Sequence, residues 1–153
     1  MPTIDAEAEI AGQCFNQRIV SCSTMLKNDS IASLGRAVIL FANGNSISHQ
    51  FQTDSGQYKV GFTMKGENYR GAARIDAYLD GVRIAKDFAI NSTDAYVFHH
   101  TNRTFTAGTH TMKIVFVNDK CGNRFPVEKC SPQYDRNALM DQFRVIKVNE
   151  GLN

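Results

Sequence analysis

The sequence predicts an all-β fold, an antiparallel β-sandwich, and three observations support this. Apolar and polar residues alternate with a period of two through most of the chain. No segment has a convincing apolar stripe of helical period. Turn signals recur at the short intervals that are typical of sandwiches. They are marked by Gly56, Gly66, Gly71, Gly81 and Gly108.

Each predicted strand follows from this alternation. "QYKVGFTMKG" and "HTMKIVFV" each have an apolar face, and "AVILFANGNSISHQF" is a strand, a turn and a second strand. "ARIDAYLDGVRI" turns at Asp80-Gly81, the dipeptide that tight hairpins prefer. We interpret "STMLKNDSIASLGR" as a loop. The predicted inward residues are Tyr58, Val60, Phe62, Met64, Ile75, Ala77, Leu79, Met112, Ile114 and Phe116.

Length and composition are those of one globular domain over residues 1–153. Hydrophobic residues make up 42% of the chain and charged residues 21%. The net charge is only +2 without a lysine or arginine cluster, which argues against a nucleic-acid partner. No apolar run reaches the roughly 18 residues of a membrane span. The start "MPTIDAEAEI" lacks signal-peptide character, as expected of a fragment from a longer secreted protein.

Four cysteines point to disulfide bonds. They allow three connectivities, of which we favour Cys14–Cys22 and Cys121–Cys130 because both pairs lie in predicted loops. Zinc is the alternative, although neither spacing matches a structural zinc site. Disulfides imply an oxidising, extracellular compartment.

Acidic residues mark both ends of the chain. Asp5, Glu7 and Glu9 alternate with small apolar residues, so a strand would place them on one face, either in solvent or at a site. In "ALMDQFRVIKV", Asp141 is in phase with Leu139, Phe143 and Val145, and a carboxylate on a buried face is costly unless paired or metal-bound. Terminal strands of sandwiches commonly lie together. Converging carboxylates would then suit calcium, which prefers oxygen ligands.

A second acidic pair flanks the cysteine loop. Asp119 follows the strand "HTMKIVFV", and Asp135 precedes the last strand. If these strand ends are neighbours, both carboxylates face one point. Two acids and one or two backbone carbonyls leave a calcium shell incomplete, so water or a ligand's adjacent hydroxyls would fill it. An ordinary acidic loop is the alternative.

These residues together resemble the calcium-dependent carbohydrate-binding modules of families 36 and 60. The resemblance runs through "IDAEAEIAG", "VILFANGNSISHQF", "GTHTMKIVFVND" and "YDRNALMDQFRV", and its most specific part is the ordered set "ND", "DRN" and "D" around the final strand. It implies a β-sandwich of jelly-roll type that binds xylan or a related β-glycan. It also implies a calcium ion that coordinates vicinal sugar hydroxyls directly.

The resemblance implies two calcium sites. The ligand-binding site would use the side chains of Asp119 and Asp135 and the backbone carbonyl of Tyr134. The structural site would use Asp141 and the hydrophobic-Glu-Ala-Glu pattern, which fits two registers, Ile4-Asp5-Ala6-Glu7 and Glu7-Ala8-Glu9. Glu7 belongs to both. The implied carbohydrate-binding residues are Asp119, Tyr134, Asp135, Arg136 and Asn137, although Arg136 and Asn137 would equally serve to brace the loop.

The chain also departs from the family pattern. The loop between the two acidic sites is long and carries the cysteine pair, and tryptophan is absent. The candidate stacking residues are Tyr134, Phe125 and Tyr69.

We therefore expect a non-catalytic, secreted, monomeric module tethered to a glycan-degrading enzyme. A calcium-stabilised adhesin or structural domain is the alternative, and the Asp119/Asp135 pair distinguishes the two. A small jelly-roll glycan-degrading enzyme is a weaker alternative, because metal-bound carboxylates are poor proton donors. His99 and His100 would point to opposite faces of a strand, which argues against a transition-metal site there.

Overall fold

The computed structural model describes residues 3–121 and 135–148, which form thirteen strands and one short α-helix. Two 3₁₀ turns, Cys22–Met25 and Ser33–Gly35, fall with β4 in the segment that we interpreted as a loop. The helix α1 is Ala8–Ala11. The strands are β1 Thr3–Glu7, β2 Gln13–Phe15, β3 Ile19–Val20, β4 Leu26–Asn28, β5 Arg36–Leu40, β6 Ser46–Thr53, β7 Gly56–Glu67, β8 Ala73–Leu79, β9 Val82–Ile90, β10 Val97–Phe105, β11 Gly108–Phe116, β12 Lys120–Cys121 and β13 Asp135–Lys147.

The strands form two antiparallel sheets, which confirms the predicted all-β sandwich. In one sheet the order is β10-β7-β13-β5-β4, with β1 and β12 also paired to β13. In the other the order is β3-β2-β6-β11-β8-β9. No helix in residues 3–121 and 135–148 is long and apolar enough to cross a membrane.

The core lies between the sheets and is filled by the faces that the alternation predicted. All ten predicted inward residues are buried, and ring or branched side chains such as Phe116 and Ile114 are fully so. This burial is the main source of stability, at roughly 25 cal/mol per Å² of apolar surface. A second, smaller apolar group lies outside this core and consists of Ala32, Ala37 and Leu139.

Strand β13 organises the sheet in which it lies. One edge pairs with β7 along almost its whole length. The other edge pairs in turn with β12 at Arg136, with β5 at Met140 and with β1 at Phe143. One end of β13 therefore lies against β1, which carries Asp5 and Glu7, and the other against β12, which directly follows Asp119.

A β-bulge in β13 corrects the predicted phase of Asp141. The register with β7 shifts between Met140 and Gln142, which leaves Asp141 as the extra residue. Phe143 and Val145 belong to the main core, whereas Leu139 belongs to the smaller group outside it. Asp141 is thus in phase with Leu139 but not with Phe143 and Val145. The alternation had predicted that it would be in phase with all three.

The N-terminal strand is shorter than the alternation predicted. Strand β1 ends at Glu7 and the chain then turns through α1, so Glu9 is helical rather than extended. Ala8 is fully buried and its carbonyl accepts from the Gly12 amide at 3.1 Å. A Cβ at position 12 would lie 2.6 Å from the backbone carbonyl oxygen of Ala8, which cannot move aside without breaking the turn, so glycine is required here.

A disulfide joins Cys14 and Cys22, which confirms the first predicted pair. It links β2 to the 3₁₀ turn Cys22–Met25, and both sulfurs belong to buried residues. The predicted Cys121–Cys130 pair lies outside the described residues, since Cys130 and the side chain of Cys121 are not among them.

His110 joins two turns at one end of the sandwich. Its Nδ1 lies 2.7 Å from Asp80 Oδ2, and its Nε2 lies 2.9 Å from the Thr106 carbonyl oxygen. Both nitrogens donate only when the imidazole is protonated. Burial alone would lower the pKa of His110, but the hydrogen bonds to Asp80 and Thr106 outweigh it and raise the pKa.

We expect His110 to make the stability of the protein depend on pH. Because the pKa of His110 is raised in the folded state, its contribution to the free energy of unfolding is complete below about pH 6.5. This contribution is lost as pH rises through the folded pKa. His110→Phe keeps the ring packing on Phe105 and removes the titration. Between pH 6 and 8 the melting temperature of the wild type should fall by about 2–4 °C relative to this variant, from a contribution of about 1 kcal/mol. Parallel pH profiles of the two proteins would contradict this assignment.

Candidate metal centres and ligand site

Glu7, Glu9 and Asp141 converge beside β13. One carboxylate oxygen from each lies within 4.8 Å of the other two. Strand β1 supplies Glu7, helix α1 supplies Glu9, and the bulge supplies Asp141. The two features that the alternation missed are therefore those that bring the three side chains together.

The oxygens of this group are largely without partners. Gln142 Nε2 donates to Glu7 Oε2 at 2.6 Å, and the Ser33 amide donates to Asp141 Oδ2 at 2.8 Å. Glu7 Oε1, both oxygens of Glu9 and Asp141 Oδ1 are buried and accept no hydrogen bond from the described residues. Leaving such groups unsatisfied is costly, so the arrangement needs a further partner.

The electrostatics of the group lead to the same conclusion. The side chain of Glu9 is 2% exposed, and its closest recorded cation, Arg36 Nε, is 3.9 Å from Oε2. Burial, together with the charges of Glu7, Glu9 and Asp29, raises the pKa of Asp141 to about 6. Burial, with a further contribution from Glu7, also raises the pKa of Glu9. A hard cation would remove both the repulsion and the desolvation cost.

Of the two predicted registers, the geometry fits Glu7-Ala8-Glu9. Asp5 lies apart from the group, because it is opposite Arg144 on β13 and accepts from Arg144 Nε at 2.9 Å. An exposed carboxylate that already has a cationic partner has no need of a metal. Asp5, which we included among the predicted structural ligands, therefore does not join the cluster.

Asp119 and Asp135 lie beside one another at the junction of β12 and β13. The pairing of Cys121 with Asp135 and of Lys120 with Arg136 sets this arrangement. The Asp119 amide donates to Asn43 Oδ1 at 2.7 Å, which fixes the backbone just before β12. The two predicted strand ends are thus neighbours.

The side chain of Asp119 is in an unfavourable position for an isolated carboxylate. Its Oδ1 is buried and has no hydrogen-bond partner among the described residues. Burial and the nearby charge of Asp135 raise the pKa of Asp119. Two carboxylates in this arrangement, one with an unsatisfied oxygen, fit part of a calcium shell.

Asn137, which is two positions from Asp135 on β13 and on the same face, holds the Asp135 side chain in place. Its Nδ2 donates to Asp135 Oδ2 at 2.8 Å and to Glu67 Oε1 at 2.9 Å, and Glu67 in turn forms an ion pair with Lys27. Asn137 is 3% exposed and its Oδ1 has no described partner. Sequence reasoning missed Glu67, since a polar residue at the end of a strand carries no distinguishing signal.

Arg136 braces the loops around this pair. Its three guanidinium nitrogens donate to the carbonyl oxygens of Tyr69, Asn118 and Arg70 at 3.0, 3.0 and 2.6 Å. The side chain is also buried. Of the two roles that we considered for Arg136, the contacts favour bracing over a direct bond to sugar.

Several predicted residues remain to be placed. Tyr134 and Phe125 lie outside the described residues. Tyr69 is half-buried beside the site, and its hydroxyl accepts from Arg70 Nε at 2.9 Å. His99 packs on Phe62 and Phe88, whereas His110 packs on Phe51 and Phe105, and no group of three metal-ligating side chains within residues 3–121 and 135–148 includes a histidine.

Comparisons of sequence identify no relative. No family model matches the chain, and no curated protein matches it. The comparison of structures does find similar proteins.

Several of these structural neighbours are carbohydrate-binding modules, and the match covers nearly the whole of this chain and of each module. A family 35 carbohydrate-binding module from Clostridium thermocellum has a TM-score of 0.65 at 13% identity, covering 95% of this chain and 98% of the neighbour. The CBM36-1 domain of a multidomain xylanase from the hindgut metagenome of Trinervitermes trinervoides has a TM-score of 0.62 at 16% identity, covering 96% and 98%.

A family 36 module in complex with calcium and xylotriose is also similar. Its TM-score is 0.57 at 15% identity, and the match covers 93% of this chain and 98% of the neighbour. At these identities the likeness is one of fold. The chain therefore has the β-sandwich fold of family 36 and family 35 modules, in agreement with the resemblance drawn from its sequence.

Proposed function

We propose that this protein is a non-catalytic module that binds a polysaccharide, xylan or a related β-glycan, in a calcium-dependent manner. The observation that carries the proposal is the Asp119/Asp135 pair, which has an unsatisfied buried oxygen at the end of the sandwich. The fold supports it, because a neighbour with the same architecture holds calcium and xylotriose.

The proposed ligand site uses two carboxylates of this chain and leaves much of a calcium shell open. Calcium takes about 6–8 oxygen ligands, and Asp119 and Asp135 supply only some of them. The backbone carbonyl of Tyr134 is a further proposed ligand. When bound, the ion would offer its remaining positions to a pair of adjacent sugar hydroxyls. Asn43 and Asn137 keep the two acids in place through the hydrogen bonds described above.

The proposed structural site uses Glu7, Glu9 and Asp141. One oxygen from each side chain lies within 4.8 Å of the other two, and four of the carboxylate oxygens are buried without a partner among the described residues. An ion there would join the start of the chain to β13 without being available to a sugar. The two sites would thus have different purposes.

We further propose that the module is a single, monomeric domain that is secreted and tethered to a glycan-degrading enzyme. The Cys14–Cys22 disulfide supports an oxidising compartment. One neighbour is a domain of a multidomain xylanase, which supports the tethered arrangement. The adhesin alternative shares the Glu7/Glu9/Asp141 group but has no use for the Asp119/Asp135 pair.

Binding to insoluble xylan in the presence and absence of calcium tests the proposal. We expect retention in calcium, loss of retention in excess chelator, and recovery when calcium is restored, because the ion supplies the contact to the sugar. Bound protein is measured by depletion from the supernatant, with cellulose and a β-1,3-glucan in parallel. Unchanged retention on these glycans in chelator would exclude the mechanism, and retention on none of them in calcium would favour the adhesin alternative.

A further inference from the structure

Asn137 lies between two carboxylates that belong to different strands. It is directly opposite Glu67 in the pairing of β13 with β7, and it is two positions from Asp135 on the same face of β13. The two hydrogens of its amide group are directed to Glu67 and Asp135, at 2.9 and 2.8 Å. An amide nitrogen with two fixed acceptors has one orientation, so each carboxylate helps to position the other.

Glu67 is held from its other side by a third strand. Its Oε2 forms an ion pair with Lys27 on β4, and both side chains are partly buried. The ammonium group of Lys27 balances the charge of Glu67. Lys27, Glu67, Asn137 and Asp135 therefore form one continuous chain of contacts that ends at the proposed ligand site.

We infer that Glu67 is a positioning residue for Asp135 and acts through Asn137, an inference that rests on the proposed function of the Asp119/Asp135 pair. Without Glu67, the amide of Asn137 has one anchor instead of two and is free to rotate away from Asp135. The carboxylate of Asp135 then loses its fixed direction. Outer residues that orient a metal ligand typically affect metal affinity by about 10- to 100-fold.

The positioning role is testable in the calcium-free protein. We expect the side-chain amide protons of Asn137 to exchange slowly with solvent in the wild type. In Glu67→Ala they should exchange at least about tenfold faster, since one acceptor is lost. In the double variant Glu67→Gln with Lys27→Met, which keeps the net charge, the single amide oxygen has no ammonium to compete for it, so it can accept from Asn137 and should retain the protection. NMR of ¹⁵N-labelled protein measures this, with the exposed Asp94→Ala as a control for the change in charge.

Calcium titration by calorimetry provides the second readout. Glu67→Ala should weaken calcium affinity at the Asp119/Asp135 site by about tenfold, whereas the double variant Glu67→Gln with Lys27→Met, and Asp94→Ala, should leave it within about threefold of the wild type. Equal losses in Glu67→Ala and in the double variant would overturn the inference, because the acceptor for Asn137 would then have no effect on affinity. Unprotected Asn137 amide protons in the wild type would also overturn it. A wild type without calcium at this site would refute the proposed function, while the exchange measurement would still decide the role of Glu67.

Discussion

Removal of calcium should lower the melting temperature of the protein by about 8–16 °C. Glu7, Glu9 and Asp141 place buried, unpartnered oxygens around one point, so an ion there stabilises the folded state alone. A ligand at about 1,000 times its dissociation constant adds about 4 kcal/mol. For a chain of this length each kcal/mol corresponds to about 2–4 °C. Differential scanning calorimetry with calcium and with excess chelator measures the effect.

The difference in melting temperature between Asp141→Asn and the wild type should change sign between calcium and chelator. In calcium the variant should melt below the wild type, because it has lost a charged ligand. In chelator it should melt at the same temperature or higher, because the substitution removes a buried charge that is repelled by Glu7, Glu9 and Asp29. Asp5→Asn is the matched control, since Asp5 is a nearby acid outside the group, and it should keep the full response to chelator. A response to chelator that is unchanged in Asp141→Asn would contradict the assignment.

Loss of glycan binding in Asp119→Ala and Asp135→Ala is the second large effect that we expect. Each variant removes one of the few protein ligands of the proposed open site, so affinity for a xylo-oligosaccharide should fall by about 100-fold or more. Calorimetric titration in calcium measures it, with Asp94→Ala as the charge control. Neither residue contributes to the hydrophobic core, so both variants should remain folded.

The stability of the same variants distinguishes a ligand site from a structural one. In chelator, Asp119→Ala should be at least as stable as the wild type, because it removes a partly buried carboxylate that is repelled by Asp135. Unfolding of either variant at room temperature would assign the pair to the fold. Undiminished glycan affinity in a folded variant would exclude the pair from recognition.

The sequence was sufficient to predict the sheets, because each strand buries one face and so carries a period of two. The inward sets of β7, β8 and β11 are buried as the alternation indicated. The hairpin at Asp80-Gly81 follows from the positive φ that both residues adopt, 50° and 81°. These features are local, and they can be read from short segments.

The site depends on features that alternation does not specify. A bulge at Asp141 shifts the alternation of β13, so that Leu139 lies on a different face from Phe143 and Val145. It leaves no mark in the apolar pattern because all three residues are buried. The turn at Ala8 looks like a strand because small apolar residues alternate with acids there. The residue types were enough to predict which carboxylates belong to the candidate sites. The groups that these carboxylates contact could be identified only from the three-dimensional arrangement.

Contacts between distant strands explain what sequence reasoning missed around Asp135. Glu67 and Lys27 are 40 positions apart, and Asn137 and Glu67 are 70 positions apart. Only the order of strands β4, β5, β13 and β7 brings them together. The contacts of Arg136 could not be predicted from the sequence either, because its guanidinium donates to backbone carbonyls of two loops that are distant in sequence, at Tyr69, Arg70 and Asn118.

The proposed function depends on one inner-sphere bond, from a sugar hydroxyl to a calcium ion whose coordination shell is only partly filled by this chain. A crystal structure of the protein with calcium and xylotriose tests it most directly. We predict two adjacent hydroxyl oxygens about 2.3–2.6 Å from a calcium ion that is held by Asp119 and Asp135. A sugar bound without contact to any ion, or an ion enclosed completely by protein oxygens at that position, would contradict it.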